Sequence, residues 1–226
     1  MEVLNNLKKL SPTVAGIVYI LYAAILMLSG VRGMAVISSL AILGVGITCF
    51  IEKAEPVKIG LLLICALLSF FSVCSTFFGF LRMFFEGVIS ILNIIMIPLT
   101  LLTSALRVIA LAMLAALVFV SWKKLSSAIT RFWYLPAVIT VISAFMDAFI
   151  RVFNLISYGI SIGHFFFGLL FDTIVLVVLS LIYAVGQAAL GLSTVAENKK
   201  MEDATVVADE FTVEVQQTVN ENVAEE

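Results

Sequence analysis

Residues 83–122 read MFFEGVISILNIIMIPLTLLTSALRVIALAMLAALVFVSW, and the way this stretch is divided decides how the whole chain is threaded. As one α-helix its 40 residues would run ~60 Å, about twice the ~30 Å of hydrocarbon in a bilayer. The stretch is therefore expected to break or bend. One division makes two spans that meet near Thr103–Arg107, giving seven crossings in all. The other makes a single span from about Leu99 to Trp122, preceded by an apolar half-helix over 83–97. Pro98 supplies a physical break for the second, whereas Thr103-Ser104-Ala105-Leu106-Arg107 contains neither Gly nor Pro to form the turn required by the first.

The chain around this stretch asks for lipid as its solvent. Of its 226 residues 62% are hydrophobic and only 12% charged, with a mean hydropathy of +1.18. A soluble domain carries roughly 25% charged residues, enough to cover an apolar core. Apolar runs of crossing length occur at 12–30, 33–51, 59–81, 132–157 and 165–193. Helices are expected in all of them, because hydrocarbon offers the backbone no hydrogen-bond partner. The expected fold class is all-α, an integral membrane helical bundle.

Charge distribution arbitrates the count. Lys and Arg accumulate on the cytoplasmic side of membrane proteins. With six spans and the N-terminus inside, Lys8, Lys9, Lys53, Lys58, Lys123, Lys124, Arg131, Lys199 and Lys200 lie inside, against Arg32, Arg82 and Arg151 outside. With seven spans the bias vanishes. The expectation is thus six transmembrane helices, with seven as the alternative, plus an outer half-helix at 83–97 and both termini cytoplasmic, in the cell membrane. Trp122 and Trp133 flank the basic Lys123–Arg131 loop, where an aromatic belt belongs.

Residues 1–193 form the expected bundle, with 11 Lys and Arg against 6 Asp and Glu. Residues 194–226 carry 2 against 9, which reads as a disordered acidic cytoplasmic tail. Nothing is basic enough for nucleic acid. Cys49, Cys65 and Cys74 all sit in apolar runs, and an odd number of such cysteines argues against a disulfide framework.

Ionisable side chains inside spans cost roughly 2.5–3.5 kcal/mol each on insertion scales, so each asks for a partner or a task. In the fifth span Thr140, Ser143, Asp147, Arg151, Asn154 and Tyr158 fall within one sector of roughly 60° at helical spacing. Such a stripe should face other helices or a wet cavity. Glu86, Asn93, Thr100 and Arg107 recur every seven residues across the disputed stretch, and Asp172, Tyr183 and Gln187 share a looser face of the last span. Helix depth places Arg107, Asp147, Arg151, Asn154 and Asp172 in one intramembrane polar cluster open to the outer side. Asp147 and Arg151 have the favoured i,i+4 orientation for an ion pair.

Two functional classes follow. In the first, the cluster binds a small molecule or ion, in a small-solute transporter or the membrane-embedded substrate-binding subunit of one. In size and span count alone the chain is similar to the substrate-binding subunits of energy-coupling-factor transporters, with none of their motifs. In the second, the chain is a non-transporting scaffold, assembly or partner subunit whose charges specify helix packing among membrane partners. No enzyme is expected. A phosphate-binding loop and a zinc-protease motif are absent, and Gly159-Ile160-Ser161-Ile162-Gly163 matches a nucleophile elbow in letters without its strand–turn–helix context. No His or Cys cluster has metal-ligand spacing, and no cofactor is implied.

Overall fold

The computed structural model describes residues 2–29, 33–51, 53–86, 91–123, 125, 128–157 and 170–195. These form six α-helices, with no strand among the described residues: α1 Glu2–Leu28, α2 Met34–Thr48, α3 Glu55–Phe85, α4 Ile91–Trp122, α5 Leu135–Ser157 and α6 Leu170–Val195. A 3-10 turn, Ala128–Phe132, leads into α5. Among the described residues, five stretches are long and apolar enough to cross a membrane: Leu10–Leu28, Glu55–Phe85, Ile94–Trp122, Ile129–Phe153 and Leu170–Val195. The chain is accordingly a multi-pass integral membrane protein.

Two expectations are corrected. The first concerns the disputed stretch, where no separate half-helix spans 83–97. Residues 83–85 complete α3, and 91–97 open an α4 that continues through Pro98 to Trp122. Thr103–Arg107 is mid-helix, so the turn that seven spans require there is not formed. Pro98 removes one backbone bond and crowds Ile94, a penalty of about 3 kcal/mol. Breaking the helix among apolar neighbours would strand several backbone groups at a few kcal/mol each, so continuation wins. Thr100 also donates to the Met96 carbonyl in this turn.

The second correction concerns residues 33–51. Here α2 has only 15 residues, ~22 Å, short of a crossing. It starts at Gly33, whose φ of 64° is a left-handed value that favours glycine. It stops in a turn at Cys49–Phe50, whose N–H groups donate to Gly46 and Ile47. The apolar letters of Cys49, Phe50 and Ile51 thus extend past the helix, and the Phe50 ring folds back over Gly16.

Consecutive helices pack as neighbours, α1 on α2, α2 on α3, α3 on α4 and α4 on α5. The α1–α2 crossing is tight because glycine lies on both sides: a Cβ on Gly46 would come within 3.0 Å of the Gly16 carbonyl and of the Ile20 nitrogen. The last helix closes the bundle. Gly186 of α6 lies against Val18 and Tyr19 of α1, Gly191 against the Trp133 carbonyl, and Ser121 of α4 donates to the Thr194 carbonyl.

Faces are sorted as lipid demands. On α1, Ser11, Ala15, Tyr19 and Ala23 are buried at four-residue spacing, while Leu10, Val14, Ile17, Leu21, Ile25 and Leu28 are exposed. On α5 the exposed stripe is Val138, Ile142, Phe145 and Phe149, and on α6 it is Phe171, Ile174, Val178, Leu181 and Val185. Large apolar side chains outside and small ones inside is the packing expected where lipid replaces water. Lys53, Lys58, Lys123 and Arg131 gather at one end, called here the basic end, and the Lys123 ammonium sits 4.0 Å from the Trp122 ring centroid.

The α1–α2 crossing supplies a test. Gly46→Leu should destabilise the detergent-solubilised protein by about 1–3 kcal/mol through overpacking, lowering its unfolding midpoint. Gly60→Leu should leave the midpoint unchanged, because nothing lies within 4 Å of a Cβ there.

Candidate functional site

The polar stripe of α5 faces inward from Thr140 to Asp147. Thr140 and Ser143 are buried, and Ser143 donates to the Thr140 carbonyl, satisfying itself within the helix. The Thr140 hydroxyl reaches across to α6 and donates to Gln187 Oε1 at 2.6 Å. Two turns along, Asp147 accepts a hydrogen bond from the Arg107 guanidinium of α4, forming an ion pair between helices. Asp147 is the more enclosed partner, its side chain 17% exposed against 45% for Arg107. One end of the pair is inside the bundle and the other reaches an open edge.

Contacts on either side fix the levels of the remaining residues. With Thr140 opposite Gln187 on antiparallel helices, Asp147 is level with Ser180, Arg151 with Leu176, and Asp172 with position 155 of α5. Asp172 therefore lies ~12 Å beyond Asp147 toward the end away from the lysines. It is exposed, and among the described residues it forms no ion pair. Arg151 is near enough to Arg107 for their like charges to repel. It is exposed, and the i,i+4 pair with Asp147 is not formed, since that carboxylate turns to Arg107. Asn154 lies on α5, with its side chain outside the described residues, as are Tyr158 and His164 altogether. The seven-residue series is split by the turn after α3: Glu86 pairs with Arg82 at the end of α3, while Thr100 and Arg107 belong to α4.

Two residues that the sequence reading passed over complete the seam. Tyr19 and Tyr22 of α1 meet Tyr183 of α6, with ring centroids 5.5 Å apart edge-on and 4.6 Å apart stacked. Tyr22 and Tyr183 also lie within electrostatic range of Arg107, and Tyr183 beside the Gln187 amide. Tyrosine scores as an aromatic hydrophobe, which hides it in a span. The available signal was position, because Tyr19 occupies the middle of its span and not an interfacial belt, on the same four-residue stripe as Ala15 and Ala23.

The seam is not self-satisfied. Tyr19 and Gln187 are each 1% exposed; the Tyr19 hydroxyl has no hydrogen-bond partner, and Gln187 Nε2 has only a loose approach to the Tyr183 hydroxyl. A cavity of ≈ 190 Å³ at the basic end, bordered by Pro12, Cys49, Glu55, Lys58 and Ser121, differs in this respect. There the Ser121, Ser193 and Thr194 hydroxyls are all engaged by carbonyls. No group of three His, Cys, Asp or Glu side chains suited to a metal occurs among the described residues. Comparison of the chain with protein-family models, curated proteins and solved structures finds no match.

The ion pair makes a double-mutant prediction. Arg107→Met or Asp147→Leu alone should cost about 1–3 kcal/mol, below the usual loss for a fully buried pair because Arg107 is partly exposed. Both together should recover most of that loss, read as the unfolding midpoint of the purified protein. Equal and additive losses would mean that the two side chains do not act on each other.

Proposed function

We propose that this protein is a membrane-embedded solute-binding subunit or small-solute transporter whose site is the polar seam between α1, α4, α5 and α6. The observation that supports this reading is the buried Tyr19 hydroxyl, left without a hydrogen-bond partner beside the Tyr183–Gln187 contact. A seam that only fixes packing satisfies its own polar groups, because each unpaired buried one costs about 1–3 kcal/mol. A group held in that state is suited to a guest that supplies the missing hydrogen bond. The half-exposed Arg107 provides the open edge through which it enters.

A second reading rests on a different observation. The Arg107–Asp147 and Thr140–Gln187 pairs each tie two helices together, which is what a scaffold or partner subunit would use to specify its packing. In both readings the basic end faces the cytoplasm and residues 194–226 serve as an acidic tail there, although α6 itself runs to Val195. Residues 196–226 lie outside the described residues.

The readings differ in the sign of a stability change. If a guest or its water stand-in occupies the seam, Tyr19→Phe and Gln187→Leu should each lower the unfolding midpoint. Both should also abolish stabilisation by any solute that raises it in a thermal screen of the purified protein. If the seam is packing alone, Tyr19→Phe should be as stable as the parent or more so, since it removes an unpaired buried hydroxyl, whereas Gln187→Leu loses its bond to Thr140 in either reading.

A further inference from the structure

The charges at the open edge of the seam do not balance. Arg107, Arg151 and Asp147 gather on facing parts of α4 and α5, two cations against one anion, and the single carboxylate is engaged by Arg107. The other carboxylate of this end, Asp172, is ~12 Å farther along than Asp147 and ~6 Å beyond the level of Arg151, and it forms no ion pair among the described residues. Arg151 thus stands without a counter-ion among the described residues, close to a second guanidinium. Both are carried on membrane-spanning helices, where an uncompensated charge is costly. The nearby tyrosine hydroxyls and one end of the Gln187 amide extend the same edge inward with hydrogen-bonding capacity.

We propose that the edge formed by Arg107 and Arg151 binds an anionic oxygen group, a carboxylate or phosphate, with Arg151 as its principal ligand. The inference rests on the seam being a binding site and names the class of ligand it takes. A planar guanidinium with five donors is matched to such a group and can hold it in a bidentate fashion. Arg107 is already committed to Asp147, so it contributes charge and a remaining donor face, while Arg151 contributes an uncommitted fork. One bound monoanion would bring the sum over Arg107, Arg151 and Asp147 to zero. The same chemistry is offered by a free organic or inorganic anion and by the headgroup of an anionic lipid.

The test uses the purified full chain and Arg151→Gln, with the unfolding midpoint as the readout. In neutral detergent the probes are inorganic phosphate and succinate, compared with chloride at equal ionic strength. In nanodiscs the comparison is phosphatidylcholine with and without phosphatidylglycerol. The expected result is a saturable rise in midpoint with phosphate or succinate, absent with chloride and lost in Arg151→Gln. With no anion present Arg151→Gln should unfold at or above the parent's midpoint, since it removes a like charge beside Arg107, and Arg151→Lys should retain part of the anion-dependent rise. A rise confined to phosphatidylglycerol discs and lost in Arg151→Gln would support the anion site with lipid as its source, against a soluble solute. If no anion and no anionic lipid distinguishes the parent from Arg151→Gln, the inference is overturned. An uncharged solute that stabilises the parent and fails with Gln187→Leu would, in that case, leave the solute-binding reading standing alone.

Discussion

One ion pair between helices constrains the end of this bundle away from the lysines. Arg107 and Asp147 belong to different helices, and each alone in hydrocarbon costs roughly 2.5–3.5 kcal/mol on insertion scales. Their pairing fixes which face of α4 meets which face of α5. Once those rotations are set, Thr140 and Ser143 must point into the bundle, and Thr140 finds Gln187 on α6. The lipid-facing stripes of Val138, Ile142, Phe145 and Phe149 then follow from the same rotation.

The closure of α6 onto α1 has a different cause. It depends on small residues, Gly186 against Val18 and Tyr19, and it brings three tyrosines together at mid-bundle. Dispersion packing and close backbone approach, with no help from a hydrophobic drive between helices, carry such contacts in lipid. The two devices meet in one seam, rigid on its packed side and polar on the other. The Tyr19 hydroxyl, buried without a hydrogen-bond partner, is a cost that the surrounding packing sustains.

Much of this was legible from residue pattern, and the failures have physical reasons. The inward stripe of α5 could be read because Thr140, Ser143 and Asp147 are polar at helical spacing in an otherwise apolar run. The termini of α2 could not, because Cys49, Phe50 and Ile51 are as apolar as the helix they leave. Pro98 misled because its cost in water is decisive, whereas among apolar neighbours a break costs more. The partner of Asp147 was ambiguous in sequence, since Arg151 offered the local pair and Arg107 the distant one, and only the packing of α4 against α5 selects the latter. Tyr19 and Tyr22 were overlooked because hydropathy counts the ring and not the hydroxyl.

The account stands on α6 closing against α1, for without it Tyr19, Tyr183 and Gln187 share no seam. The most direct measurement is disulfide formation in native membranes between Val18→Cys and Gly186→Cys, with Cys49, Cys65 and Cys74 replaced. A Cβ on Gly186 would stand 3.5 Å from that of Val18, within the span of a disulfide. Efficient cross-linking of this pair, with none between Gly186→Cys and the lipid-facing Ile17→Cys, is the predicted result. Cross-linking through Ile17, or through neither position, would contradict the closed bundle and the seam built on it.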